Sequence, residues 1–249
     1  MMSKVRILNN NAIKIIAAVT MLLDHLGMIL FPSVMILRII GRLSFPLFAF
    51  MISEGARYTK NKVKYILTIG ILGVACQIPM MVLFNDFHWN VLITFTMSIG
   101  LIYLLDWFKK SLFQKDCKTL IKILSFALFV IAVLTVRYSV FLGFHYSYNF
   151  WGCMAAVCAS APSLNKTDAP DWLKKFDNIP VRVLCMGVPL FIYSYTSSKY
   201  QFICLLSLLI LMLYSGKKGK LNLKYFFYIF YPAHLVVLYG IGLIISLVH

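Results

Sequence analysis

Two segments near the beginning of the chain place ionisable side chains inside apolar runs. Asp24 and His25 lie in the apolar run 12–31, and the next run contains Arg38 and Arg42. A charged group near the centre of a bilayer costs about 2.5–3.5 kcal/mol, so such groups usually face a bundle interior and mark a working site. A histidine beside a carboxylate and cations is suited to general base catalysis, in which the cations stabilise an oxyanion or hold a phosphate.

The spacing of these residues predicts a single site. Arg38 and Arg42 are four positions apart, which places both on one helix face. The short turn at 31–33, which contains a proline, makes the two spans antiparallel neighbours. At 1.5 Å per residue, His25 and the arginines then lie at similar depths of about 6–12 Å from one membrane surface, which the charge distribution makes the outer one. A structural alternative stays open, in which Asp24 only pairs with an arginine and His25 only makes a structural hydrogen bond.

Two later histidines extend the candidate site. His145 and Tyr148 belong to a polar patch inside the apolar run 139–161, and such a patch predicts a water-accessible cavity or an acceptor-binding cleft. His234 follows Pro232 near the middle of the last apolar run. Two alternatives remain: the patch is an exterior loop, or His234 satisfies backbone groups that the proline kink leaves open.

The elements that position these residues are membrane spans. The 249-residue chain is 61% hydrophobic and only 13% charged, and its mean hydropathy is +0.84, whereas soluble domains are about 25% charged. A span needs about 20 apolar residues. We therefore predict an all-α, polytopic transmembrane helical bundle that forms a single domain over 1–249. Nine apolar runs are candidate spans: 12–31, 34–53, 63–84, 90–108, 119–137, 139–161, 181–196, 200–214 and 225–247.

The distribution of charge predicts the orientation. Basic residues fall in every second connection, 20 of them on one side against Arg137 and Lys199 on the other. The basic side of a membrane protein is cytoplasmic, so the N-terminus is predicted inside and, with nine spans, the C-terminus outside. The same rule explains the net charge of +16 and argues against nucleic-acid binding. The six cysteines contain no CxxC pair, so neither a disulfide framework nor a metal site is predicted.

Several segments resemble the TraX-type proteins, the conjugal-transfer pilin acetylases and their relatives. These segments keep matching order and spacing over most of the chain and are found at 11–27, 37–55, 77–79, 90–94 and 225–235. TraX-type proteins are in turn similar to the larger group of multi-span membrane acyltransferases. Those carry a reactive histidine late in an early helix and an arginine segment with Phe-Pro in the next. His25 matches the first position, and Arg42, followed by Phe45-Pro46, matches the second.

The resemblance implies a multi-pass protein of the bacterial cytoplasmic membrane that transfers an acetyl group from cytoplasmic acetyl-CoA. The acceptor would lie at the outer face and be a peptide or pilin N-terminal amine, or a glycan hydroxyl. The residues expected to act are His25 with Asp24 and Arg42 in catalysis, Arg38, Arg42 and Lys14 in donor binding, and His145, Tyr148 and His234 in acceptor binding.

Two other functions remain possible. A proton-coupled transporter or flippase would use His25, Asp24 and His145 as a proton relay. Many transporters contain inverted repeats, and this sequence shows no internal repeat, which counts against that hypothesis. A non-enzymatic partner in membrane assembly would use the buried charges only for structure.

Overall fold

A computed structural model describes residues 6–220 and 223–248. Lys4, predicted to add to the cytoplasmic charge, lies outside them. The described part of the chain is helical, which confirms the all-α prediction, and it contains isolated β-bridges but no strand. The α-helices are α1 (Asn10–Ile29), α2 (Met35–Gly41), α3 (Ser44–Tyr58), α4 (Lys62–Phe84), α5 (Val91–Phe113), α6 (Thr119–Tyr138), α7 (Asn149–Ser160), α8 (Asp171–Lys174), α9 (Ile179–Thr196), α10 (Leu206–Met212) and α11 (Lys224–Val248).

Within the described ranges, seven helical stretches are long and apolar enough to cross a membrane, where α2 and α3 count together as one. They correspond to seven of the nine predicted spans. The other two predicted spans contain shorter helices: a 3-10 turn at 139–142 followed by α7, and a 3-10 segment at 199–205 followed by α10. The count of nine spans and the cytoplasmic N-terminus therefore stay predictions.

Exposed apolar side chains identify the lipid-facing surface of α4. Leu67, Ile71, Ile78 and Val82 recur at helical spacing, and each is more than half exposed. In water such a stripe would be an unusually large apolar patch, whereas hydrocarbon chains cover it at no cost. The helices also satisfy their own backbone groups, as a bilayer requires. The chain is therefore a multi-pass membrane protein.

The described residues form two compact units. The first unit comprises 1–51 and 194–249, and the second unit comprises 52–193. In the first unit, α1 packs against α2 and α11, whereas in the second unit α5 packs against α4, α6 and α7. The single domain predicted over 1–249 stays a prediction.

Glycines allow α1 and α2 to approach closely. A Cβ atom at Gly41 would lie 2.3 Å from Cβ of Asp24, and one at Gly27 would lie 2.9 Å from Cβ of Leu37. Both are closer than real Cβ contacts come, so only glycine fits there. The contact that is later in α1 (Gly27) is earlier in α2 (Leu37), and the one that is earlier in α1 (Asp24) is later in α2 (Gly41), which is the antiparallel arrangement that the short turn predicts.

The second predicted span is interrupted at Arg42. α2 ends at Gly41, and the N–H of Arg42 donates to the carbonyls of Ile39 and Ile40 in a tightened last turn. Pro46 explains the interruption, because its nitrogen has no proton to donate to the carbonyl of Arg42. Arg42 is therefore the C-cap of α2, in the tightened turn that joins α2 to α3 within one candidate span, and the prediction that it shares a helix face with Arg38 stays a prediction.

The run 139–161 is not one helix either. Gly143, Tyr148 and Asn149 have positive φ angles of 78°, 63° and 46°, a conformation that ends a right-handed helix. Residues 143–148 consequently lie between helices, and the polar patch that the sequence placed inside a span is a connecting segment.

Candidate functional site

The first unit brings two histidines together. Nδ1 of His25, on α1, lies 2.9 Å from the carbonyl oxygen of Met21 and 3.3 Å from Nε2 of His234 on α11. The ring centroids are 4.9 Å apart, and the rings meet edge to face at 71°. His234 is only 6% exposed, and its own Nδ1 lies 2.7 Å from the carbonyl oxygen of Phe230.

These contacts determine where the protons lie in a neutral pair. A carbonyl oxygen can only accept, so Nδ1 of each ring carries the proton that it donates to Met21 or Phe230. Nε2 of His234 then holds a lone pair directed at the Nδ1 proton of His25. Nε2 of His25 also holds a lone pair, and among the described residues it makes no hydrogen bond.

Asp24 does not orient His25 as the sequence predicted. Its Oδ1 accepts a hydrogen bond from Nε of Arg38 at 3.0 Å, and the two side chains are 17% and 32% exposed. Consecutive residues on a helix point in different directions, so Asp24 faces α2 whereas His25 contacts α11. The ion pair is the arrangement that the structural alternative for Asp24 predicted.

Arg42 is a half-buried cation without a counterion among the described residues, where no hydrogen bond or ion pair engages its guanidinium. The helix that it caps, α2, packs against the 3-10 segment that precedes α10 and contains the buried Cys204. A guanidinium in such surroundings can bind an anion or stabilise a developing negative charge.

Lys14 lies eleven positions before His25 on α1, or about 16 Å along the axis at 1.5 Å per residue. Its Nζ is 5.6 Å from the centroid of the Phe227 ring, and it is near enough to Lys218 for the two charges to repel. No acid among the described residues pairs with Lys14. Two adjacent cations of this kind form a candidate anion-binding position.

The other two predicted site residues belong to the second unit. His145 is exposed, and its carbonyl oxygen accepts a hydrogen bond from the backbone N–H of Trp89 at 2.9 Å. Tyr148 directly precedes α7, and its ring centroid lies 5.6 Å from that of Tyr193. Both residues thus sit in or beside a connection anchored to the segment before α5.

The second unit also contains a buried ion pair that the sequence did not reveal. Arg182 and Glu54 are 2% and 3% exposed and form an ion pair. The guanidinium of Arg182 also donates to the carbonyl of Ala159 at 2.9 Å and to Oγ of Ser53 at 3.2 Å. From the sequence, Arg182 was predicted to be one of the basic residues of the cytoplasmic connections. Glu54 could have indicated the ion pair from the sequence, because an acid at the end of an apolar run needs a cation on a neighbouring helix.

A second ion pair lies in the same unit. Arg57 and Asp177 form a bidentate ion pair, in which both N–O distances are 2.8 Å. Oδ2 of Asp177 also accepts from the backbone N–H groups of Leu164 and Asn165 at 3.1 and 3.0 Å. These bonds hold the polar connection before α9 in place, so Arg57 and Asp177, like Arg182 and Glu54, are engaged in structure.

Comparison with known proteins places this arrangement in a family. Residues 9–242, a range that includes Lys14, His25, Arg42 and His234, match the family described as TraX protein. The chain belongs to the TraX family. This TraX family member is a helical membrane protein, and the residues that match the family belong to both compact units.

Two relatives are similar to this TraX family member. A probable fimbrial assembly protein, serogroup H1, of Dichelobacter nodosus is 28% identical over 246 residues, which cover 91% of this chain and 92% of the relative. An uncharacterized protein of Rickettsia prowazekii is 37% identical over 92 residues, which cover 36% of this chain and only 35% of that relative. No solved structure matches the chain significantly.

Proposed function

We propose that this TraX family member is a membrane acetyltransferase that moves an acetyl group from acetyl-CoA to an acceptor. The observation that carries the proposal is the state of His25. Its Nδ1 proton is committed to Met21 and His234, so Nε2 keeps its lone pair and has no hydrogen-bond partner among the described residues. A positioned imidazole nitrogen of this kind is a general base.

The proposed reaction is acyl transfer, with His25 as the general base. Nε2 of His25 takes a proton from the acceptor while the acceptor's nitrogen or oxygen attacks the thioester carbonyl. The carbon–sulfur bond then breaks, and the imidazolium returns its proton to the leaving sulfur, so that coenzyme A departs as a thiol. Arg42, which no described acid neutralises, would stabilise the oxyanion formed between these steps.

The cations of the first unit support binding of a phosphate-bearing donor. The segment that carries Lys218 is joined to the start of α1, because the N–H of Asn10 donates to the carbonyl of Lys217 at 3.0 Å, and Lys14 is about 16 Å from His25 along α1. That separation is similar to the length of an extended pantetheine arm between its phosphate and its sulfur. We therefore assign the donor phosphates to the Lys14 end of α1. Arg38 is held by Asp24, so its proposed contribution is to shape the site between α1 and α2.

The proposed location is the bacterial cytoplasmic membrane with the N-terminus inside, because basic connections stay in the cytoplasm. The Lys14 end of α1 then faces the compartment that contains acetyl-CoA. A relative named as a probable fimbrial assembly protein aligns with 91% of the chain, which favours a peptide amine of a pilus or fimbrial subunit as the acceptor over a glycan hydroxyl. His145 and Tyr148 remain candidates for acceptor binding.

The test uses the purified protein in nanodiscs with radiolabelled acetyl-CoA and a peptide that has a free N-terminal amine. We expect label on this peptide and none on the same peptide with a blocked amine. His25→Ala should abolish the transfer, whereas His88→Ala, which changes an exposed histidine, should leave it intact. The absence of both transfer and thioester cleavage would contradict the proposal, and peptide movement into sealed proteoliposomes without release of coenzyme A would instead support a transporter.

A further inference from the structure

We infer that His234 is a positioning residue for His25, and that its neutral imidazole takes the place a carboxylate has in a catalytic triad. In a triad, the carboxylate accepts the proton of the base's second nitrogen, fixes its tautomer and stabilises the imidazolium that forms. The inference rests on the proposed function for the step that it assists. Asp24, the carboxylate next to His25 in the chain, is already bound to Arg38.

The geometry places the acceptor nitrogen where this role needs it. Nε2 of His234 lies 3.3 Å from Nδ1 of His25, so the contact leaves Nε2 of His25 unused. The proton on Nδ1 of His234 is donated to Phe230, so its Nε2 is the nitrogen left to accept. The Nδ1 proton of His25 is therefore shared between Met21 and His234.

The surroundings of His234 hold its ring in one orientation. The ring stacks on Phe230 with a centroid distance of 5.0 Å and an interplanar angle of 13°. Tyr231 meets it edge to face at 5.7 Å. Because these neighbours and the bond to Phe230 restrict its rotation, the acceptor nitrogen is preorganised and needs no rearrangement as His25 gains a proton.

A neutral acceptor suits an apolar bundle. When Nε2 of His25 takes a proton, its Nδ1–H remains between the carbonyl of Met21 and Nε2 of His234, and both lone pairs stabilise the cation. A carboxylate in the place of His234 would add a permanent charge with its own cost of desolvation. With neutral His234, the pair is charged only while His25 holds the acceptor's proton.

Two substitutions separate this role from a purely structural one. The amide of glutamine places an acceptor near the position of Nε2 but loses the bond to Phe230. The amide of asparagine keeps a donor near the position of Nδ1 and loses the acceptor. We expect His234→Asn to lower kcat about 10- to 100-fold, by analogy with the loss of the hydrogen-bond partner of a metal-bound imidazole. His234→Gln should keep kcat close to the wild-type value, and neither change should alter the KM for acetyl-CoA.

A second measurement does not depend on acetyl transfer. Diethyl pyrocarbonate acylates unprotonated imidazole nitrogens, and mass spectrometry of peptides reports the rate at His25 alone. We expect the wild type and His234→Gln to react at similar rates and His234→Asn to react more slowly, with His88 as the internal standard in every sample. If His234→Asn matches the wild type in both measurements, or if His234→Gln is the more impaired variant, the inference is wrong. If the wild type transfers no acetyl group but the labelling order holds, the positioning role stands and the proposed function fails.

Discussion

The two compact units both bury charged side chains, but they engage them differently. In the second unit, Arg182 donates to a carboxylate, a hydroxyl and a carbonyl, and both it and Glu54 are nearly inaccessible. In the first unit, Asp24 and Arg38 are partly exposed, and among the described residues nothing pairs with the guanidinium of Arg42.

We interpret this difference as one between charges that stabilise the fold and charges that are left available to a substrate. A buried ion pair whose hydrogen bonds are all made has no capacity left for a ligand, and its removal exposes the cost of an unpaired charge. A guanidinium without a counterion and an imidazole with a free lone pair, both in the first unit, keep their capacity for a substrate. Changes in the second unit should therefore affect stability, and changes around His25 should affect rate.

The largest effect is expected from breaking the buried pair of the second unit. Glu54→Gln leaves the charge of Arg182 without its carboxylate, which should lower the free energy of unfolding by about 3–5 kcal/mol. Thermal unfolding in nanodiscs measures the change. The double variant Glu54→Gln/Arg182→Met removes both charges and should be the more stable of the two. A Glu54→Gln variant as stable as the wild type would show that the pair is not structural.

The next largest effect concerns the unpaired arginine of the first unit. Arg42→Ala removes the proposed oxyanion stabiliser, which should lower kcat about 10²- to 10³-fold with little change in melting temperature. Arg42→Lys keeps the charge but not the planar fork, so it should recover part of the loss. Steady-state kinetics with acetyl-CoA provide the measurement. If the main change is in stability, Arg42 belongs with the structural charges and the contrast between the units disappears.

A smaller effect is expected at the contact between α1 and α2. Gly41→Ala introduces a Cβ only 2.7 Å from Cα of Asp24, which forces the helices apart and should cost about 1–3 kcal/mol of stability together with some activity. Gly240→Ala is the matched control in the same unit, because nothing lies within 4 Å of its added Cβ. Equal melting temperatures for the two variants would argue against the close approach.

The smallest effect is expected at the partly exposed ion pair. Asp24→Asn should lower stability by about 1 kcal/mol or less, because partly solvated pairs contribute little. It should also reduce the transfer rate far less than His25→Ala does, since Asp24 contacts Arg38 rather than the imidazole. Thermal unfolding in nanodiscs measures the change in stability, and steady-state kinetics with acetyl-CoA measure the change in rate. A loss of activity equal to that of His25→Ala would restore Asp24 as the partner of the base.

The sequence predicted the helical class and the neighbours α1 and α2 because apolar runs and short turns are local signals. A pairing of Asp24 with an arginine of the second span was left open as an alternative, and the structure shows that the partner is Arg38. The sequence could not predict the break at Arg42, although Pro46 contained the information, since prolines near helix starts are often tolerated. The positive φ angles at Tyr148 and Asn149 were equally hidden, because neither residue type requires them.

The contacts between distant segments were beyond the sequence. His25 and His234 are separated by 209 positions, and Glu54 and Arg182 by 128. Apolar periodicity says which residues lie in helices but not which helices pack together. Only the packing of α11 against α1 reassigns His234 from a candidate acceptor ligand to the neighbour of the proposed base.

The most direct test of the central claim is the initial rate of acetyl-CoA cleavage by His25→Gln, measured in nanodiscs against the wild type at equal amounts of folded protein. Glutamine keeps the polarity and approximate size of the side chain but cannot act as a base at this position. We predict that His25→Gln cleaves acetyl-CoA no faster than protein-free nanodiscs and melts near the temperature of the wild type. A variant that cleaves acetyl-CoA at the wild-type rate would contradict this prediction.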